Sequence, residues 1–226
     1  MTLMVNNLVG FGATTESSGP ASITFAASAV SASDVTAGNT YTFSSHSIGT
    51  ASADRYVVVT VTTNSRVSAV TVDGASCTLA NSRTNGGASY IYITNAPVTS
   101  GTTASIVVTI STATSFACGI GTFAVTGLQS ITPTATATQT TDVTATNLAV
   151  TASGVAVGVV YSENADTYTH SWTNLTERYD ARLDAGEAYA HSGASANQAT
   201  SQTLSITVDA QSTGFPTVAI ALAAFR

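Results

Sequence analysis

The chain contains no lysine, and only 8% of its 226 residues are charged. A surface that binds nucleic acid needs clustered Lys and Arg to displace counterions from phosphates. Here the six arginines (55, 66, 83, 178, 182 and 226) are scattered and the net charge is −6, so no nucleic-acid partner is expected. No apolar run approaches the ~18–20 residues that span a bilayer. The start, from Met1 to Asn7, lacks the basic n-region and unbroken apolar stretch of a secretory signal. Together these predict no membrane partner and a chain made in the cytosol. There are two cysteines, Cys77 and Cys118, with no His or carboxylate at ligand spacing, so there is no zinc signature, and no cofactor is expected. An inter-strand disulfide and a pair of free buried thiols are both open at this stage, cytosolic synthesis favouring the thiols. Sustained 3.6-residue periodicity is also missing, which excludes long helices.

What the chain does have is Ser, Thr and Ala, close to half of all residues, a composition that favours strands and turns. It also repeats itself. Val57-Val58-Val59-Thr60-Val61 answers to Val155-Ala156-Val157-Gly158-Val159, Val70-Thr71-Val72 to His170-Ser171-Trp172, and Ala88-Ser89-Tyr90 to Glu187-Ala188-Tyr189. Ser105 to Thr109 and Phe116 to Ile120 have counterparts at Leu204 to Val208 and Phe215 to Ala219. The offset stays at about 99 residues, as internal duplication leaves it. Asp73-Gly74 and Asn85-Gly86-Gly87 read as hairpin turns, because Asn and Gly accept positive φ. Tyr56 to Val61 is apolar on both faces, which suits a central strand.

The fold class that follows is all-β: an antiparallel β-sandwich, jelly-roll-like, built from two pseudo-repeats of about five strands each plus N-terminal strands. Residues 1–22, punctuated by Gly10, Gly12, Gly19 and Pro20, read as an arm. Residues 23–226 read as one domain, with repeats 54–126 and 154–226 joined by a Thr-rich bridge that holds one edge strand.

Candidate chemistry gathers in the second repeat. Arg178, Asp180, Arg182 and Asp184 alternate in position and sign, and period-two spacing on a strand places all four on one face. Such a row is a solvated face with weak ion pairs, a polar subunit contact, or a carboxylate pair of the kind used in glycoside hydrolysis or a calcium site, the last without a D-x-D-x-D-G loop to support it. Tyr168, His170 and Trp172 also alternate and share a face. They form either a glycan platform or a core plug in which the indole N–H of Trp172 finds a carbonyl. Serines are everywhere, but no G-x-S-x-G elbow is present and His46, His170 and His191 sit in hydroxyl-rich strand contexts, so no catalytic residues are assigned.

Ser47-Ile48-Gly49, Asp54 to Val59, Val70-Thr71-Val72-Asp73-Gly74, Cys118-Gly119-Ile120-Gly121, Gly154 to Gly158 and Trp172 to Glu177 form a set of strand and turn patterns. The set resembles β-sandwich structural proteins, head-decoration or tail and fibre components, of tailed bacteriophages and related gene-transfer particles. The resemblance implies a virion component made in the host cytoplasm, most simply a capsid decoration or cement protein. Its partners would be the major capsid or tail proteins of the same particle and further copies of itself. The alternative it implies is a tail-fibre or head-spike module that binds a host-surface glycan, with Tyr168, His170, Trp172, Arg178, Asp180, Arg182 and Asp184 as contact residues. It carries no catalytic residues.

Overall fold

The computed structural model describes residues 19–31, 38–111, 117–163, 169–183, 189–210 and 217–226. The arm expected at the N-terminus lies, up to residue 18, outside the described residues. Every regular element is a strand. The first half holds β1 (Ser22–Ser31), β2 (Thr40–Ser47), β3 (Tyr56–Thr63), β4 (Val67–Val72), β5 (Ala75–Asn85), β6 (Gly87–Thr94), β7 (Thr103–Ile110) and β8 (Cys118–Thr126). The second holds β9 (Ala135–Gln139), β10 (Thr146–Val150), β11 (Gly154–Glu163), β12 (Ser171–Trp172), β13 (Thr176–Arg182), β14 (Tyr189–Gln198), β15 (Gln202–Ile206), β16 (Val208–Asp209) and β17 (Thr217–Phe225).

The all-β antiparallel sandwich expected from the sequence is what the chain forms, and strand pairing defines it further. The first half is an eight-stranded sheet in the order β1-β8-β3-β6-β5-β4-β7-β2, curled until β1 and β2 come together. That order is a jelly roll, one wall β1-β8-β3-β6 and the other β5-β4-β7-β2. The second half repeats it: β9-β17-β11-β14-β13 form one sheet, faced by the short pairs β10-β15 and β12-β16. The repeat unit is therefore larger than the residues that show the constant offset. It takes in β1 and β2 on one side and β9 and β10 on the other. The starts of β1 and β3 lie 34 residues apart and those of β9 and β11 only 19, so no single offset exposes their kinship. The bridge holds two strands where one was expected, β9 at the edge of its sheet and β10 paired with β15.

Parity along the central strands shows how the halves sit. Val57, Val59 and Val61 of β3 point into the first roll with Tyr90, Tyr92, Ile106, Val108 and Ile120. Val58 points the other way, with Ile91, Ile93, Phe123 and Val125, onto Val155, Val157 and Val159 of β11 and Ala221, Ala223 and Phe225 of β17. The opposite face of β11 and β17, including Ala156, Val160, Ile220 and Leu222, lines the second roll with Leu148, Leu204 and Ile206. The wall β1-β8-β3-β6, extended by β5 where it runs on along β6, thus stacks on the five-stranded sheet of the second roll. This is why β3 and β11 are apolar on both sides, each buried Val contributing roughly 1.5–3 kcal/mol.

Local turns follow the residues. Asp73 (φ 49°) and Gly74 (φ 80°) form the two-residue loop between Val72 and Ala75, and the Asp73 carboxylate accepts from Ser105 N at 2.7 Å. Arg55 is fully buried and donates to four carbonyls: Val98 O (2.9 Å), Gly49 O (2.7 Å), Gly101 O (3.0 Å) and Ser100 O (2.8 Å). Both cysteines are free thiols, Cys118 buried and Cys77 partly so. Burial raises both, Cys77 to about 12.

Missing side chains are as necessary to the interface as those present. The Tyr179 ring lies between Gly121 and Gly193, where an added Cβ would stand 2.3 Å from its Cε1 in either case. Gly121→Ala is expected to lower stability by about 1–3 kcal/mol through overpacking. Chemical denaturation checks this, and an unchanged midpoint would contradict the packing described.

Candidate functional site

Of the residues singled out in the second repeat, Tyr168 and Asp184 lie outside the described residues, as do Asp166 and Glu187. The structure brings His170, Trp172 and Asp180 together. It does so through a β-bulge in β13. Glu177 pairs with Ala194 and Tyr179 with Gly193, leaving Arg178 as the extra residue. Directly paired residues share a face, so Glu177 and Asp180 lie on the side of Ala194 and Ser192, which lines the second roll. Tyr179 lies with Gly193 on the side facing the first roll. The single-face row expected from period two is therefore broken at Arg178. Its Nε donates to Ser195 Oγ at 3.0 Å, and it borders, with Glu177, a groove against Thr24 and Phe25 of β1. Arg182 is exposed and pairs with Ala190 on the Asp180 face.

Inside the second roll, parity along β11 carries Ala156, Gly158, Val160 and Ser162 to one face, and there the polar groups meet. His170 stands between Ser162 and Asp180, its Nε2 2.9 Å from Ser162 Oγ and its Nδ1 2.7 Å from Asp180 Oδ1. The other carboxylate oxygen accepts the His170 backbone N–H at 2.9 Å. The Asp180 carboxylate accepts the Nδ1 proton, and the hydroxyl of Ser162 can either donate to Nε2 or accept from it. Glu177 hydrogen-bonds Asp180, and partial burial and that neighbouring carboxylate push its own carboxyl up to about 7. Beside this chain Trp172 Nε1 donates to Ser192 Oγ at 2.8 Å, and its ring lies against Gly158 and Leu222. Trp172 thus packs against the core as the plug alternative expected, but its N–H is satisfied by the Ser192 hydroxyl and not by a carbonyl.

Connectivity from Ser through His to Asp is that of a hydrolytic triad, and Ser162 is the residue the sequence reading missed. The signal for it was its place in the inward-facing series of β11, eight residues before His170. The setting differs from a working triad. Ser162 is fully buried and its backbone lies in two ladders, opposite Ala190 and Val218. A nucleophile needs an approach for substrate and N–H donors aimed at the developing oxyanion. The chain Ser162–His170–Asp180 instead ties β11, the 170–172 segment and β13 into one network.

A second polar cluster crosses between the rolls. Tyr179 Oη lies 2.9 Å from Thr60 Oγ1, His191 Nδ1 lies 2.8 Å from Thr62 Oγ1, and Ser89 Oγ donates to Ala219 O at 2.7 Å. Asn81 Nδ2 reaches Ala137 O and Leu222 O, both at 2.8 Å, and Asn197 both accepts from and donates to the backbone of Ile23. His191 and Tyr161 are neighbours across β11 and β14, and His191 Nε2 and Tyr161 Oη are buried without a hydrogen-bond partner. Among the described residues no three His, Cys, Asp or Glu side chains gather as a metal site.

In comparisons with protein-family models, with curated proteins and with solved structures, the chain matches none.

Two outcomes check these assignments. A fluorophosphonate should leave Ser162 unlabelled in the folded chain, while Ser162→Ala should cost about 1–3 kcal/mol by unpairing His170. Stoichiometric labelling in intact-mass spectra would make the site a hydrolase instead. His191 is held neutral by burial first and by His170 second, its pKa pushed down from 6.5 to about 3. The unfolded chain therefore binds more protons between those values, and this contribution to stability falls as pH drops through that window. His191→Gln should show a shallower loss than wild type between pH 6.5 and 3. Parallel curves would remove His191 as the acid-sensitive group.

Proposed function

We propose that this chain is a structural component of a tailed-phage-type particle, a decoration protein on the outside of the head. The observation that carries the reading is the composition of the walls facing away from the inter-roll interface. Strands β2, β4, β7, β10 and β15 contain no Asp, Glu, Lys or Arg. The outer face of β2-β7-β4 presents Thr40, Thr42, Thr71, Ser105, Val107 and Thr109, all exposed or half-buried, in register across Thr42, Val107 and Thr71. Charged groups are costly to desolvate and are depleted at the cores of protein interfaces, whereas small hydroxyls are cheaper to cover and hydrogen-bond a partner. A broad, uncharged, hydroxyl-bearing wall on a doubly cored scaffold suits a part that is laid against a neighbour and stays there. The resemblance of the strand and turn patterns to head-decoration proteins supports the same reading. Trp172, with its N–H engaged and its ring against Gly158, offers less to a glycan than the sequence alone implied, and no second reading is carried.

The test is incorporation. Purified particles should contain the chain in stoichiometric amounts, and Thr42→Glu with Thr109→Glu should abolish incorporation while leaving the melting temperature of the isolated chain nearly unchanged. Particles that never contain the chain would sink the reading.

A further inference from the structure

The first roll has an opening in its wall. Strands β4 and β5 pair only at Thr71–Ser76 and Val72–Ala75. Beyond that, β5 continues along β6 while β4 continues along β7. Between the diverging strands lies a cleft of about 330 Å³, with Tyr90 and Val67 at its floor, Leu79 at its lip, and Arg66 and Arg83 lining it. Leu79 is 46% exposed, an unusual position for a leucine in this chain. The Tyr90 hydroxyl accepts the Val67 N–H at 3.2 Å, which leaves its own proton free to be donated into the cleft. No carboxylate lines the opening. Neither arginine forms an ion pair with a carboxylate among the described residues. The cleft is therefore an apolar floor ringed by hydrogen-bond donors.

The matching surface lies on the same molecule, too far along the fold to fill the cleft itself. Residues 19–126 balance three arginines against three aspartates, whereas residues 127–226 hold three arginines and eight acids, a net −5. In that acidic half β13 is the terminal strand of its sheet and has one edge unpaired among the described residues. It carries Glu177, exposed and crowded by Asp180, a carboxyl short of a cation. At the corresponding strands of the second roll, β12 and β13, which are not paired with each other, Trp172 and His170 pack inward.

We propose that the Arg66–Arg83 cleft receives the acidic β13 edge of a neighbouring copy, with Glu177 as the carboxylate it grips, so that copies associate head to tail. Such an interface uses two different patches on each chain and so builds a ring or an open row instead of an isolated two-fold dimer. Arginine suits the task because its planar fork grips a carboxylate at two points. Leu79 supplies apolar contact beside the charged grip. This inference does not depend on the chain residing in a particle.

Sedimentation velocity of the full chain tests it, at low ionic strength and again at roughly 0.5 M salt, where the Debye length shrinks to a few ångströms. Wild type should associate at low salt and dissociate at high salt. Arg66→Glu with Arg83→Glu should weaken association by about tenfold or more at an unchanged melting temperature, since both side chains are exposed. Mixing that double variant with Glu177→Arg should restore it. A wild-type chain that stays monomeric in every condition would overturn the proposal, as would association indifferent to the arginine reversal. Inorganic sulfate that shifts the arginine side-chain resonances of a chain that remains monomeric would overturn it too, by making the cleft a small-anion site. Failure of the Glu177→Arg mixture to restore association would remove Glu177 as the gripped carboxylate. Absence of the chain from particles bears on the preceding proposal alone.

Discussion

Everything in this molecule is arranged around the contact between two five-stranded faces. Each jelly roll closes a core of its own, but a roll of this size buries a modest share of its surface. Stacking β1-β8-β3-β6-β5 on β13-β14-β11-β17-β9 gives β3 and β11 a second buried side. The contact constrains composition as well as position. Gly121 and Gly193 admit the Tyr179 ring, Gly119 admits His191, and Gly87 admits Tyr161. The hydroxyls of Thr60, Thr62 and Ser89 then satisfy the polar atoms carried in with those rings. A seam built from side chains this small and this specifically paired tolerates little sliding, so the rolls are fixed in one register.

Part of this was legible in the residues. Consecutive valines at 57, 58 and 59 announced a strand buried on both sides, and Asp73-Gly74 announced its hairpin, because both features are local. The constant offset found the strands that keep their spacing. It did not find β1, β2, β9 and β10, whose separations from the central strands differ between halves. What one half offers the other was hidden for a different reason: parity tells which side a residue faces, not what stands there. The bulge in β13 shows the limit most directly. One extra residue moved Arg178 to the opposite face from Asp180, and the row of alternating charges became a half-buried Asp180 bound to His170 and an arginine bound to Ser195.

The two halves have diverged in how they use the same part of the roll. In the first roll the strands separate and leave a cleft edged by Arg66 and Arg83. In the second, Trp172 and the Ser162–His170–Asp180 chain pack inward at the corresponding strands. A duplicated scaffold whose copies place different groups at equivalent strands has an inherent direction. The scarcity of charge elsewhere makes that direction stronger, since there is little else on the surface to compete for a charged partner.

Arg55 gives the molecule a second asymmetry. Its guanidinium is buried with carbonyl oxygens as its hydrogen-bond acceptors, and neither partner in such a clamp gains or loses a proton in ordinary aqueous conditions. No arginine of the other half is buried in this way, since Arg178, Arg182 and Arg226 are all exposed. The loops at Gly49 and at 98–101 are thus gathered onto the start of β3 by one cation whose bonds salt screens little, and a single side chain, Arg55, decides whether that end of the first roll stays closed.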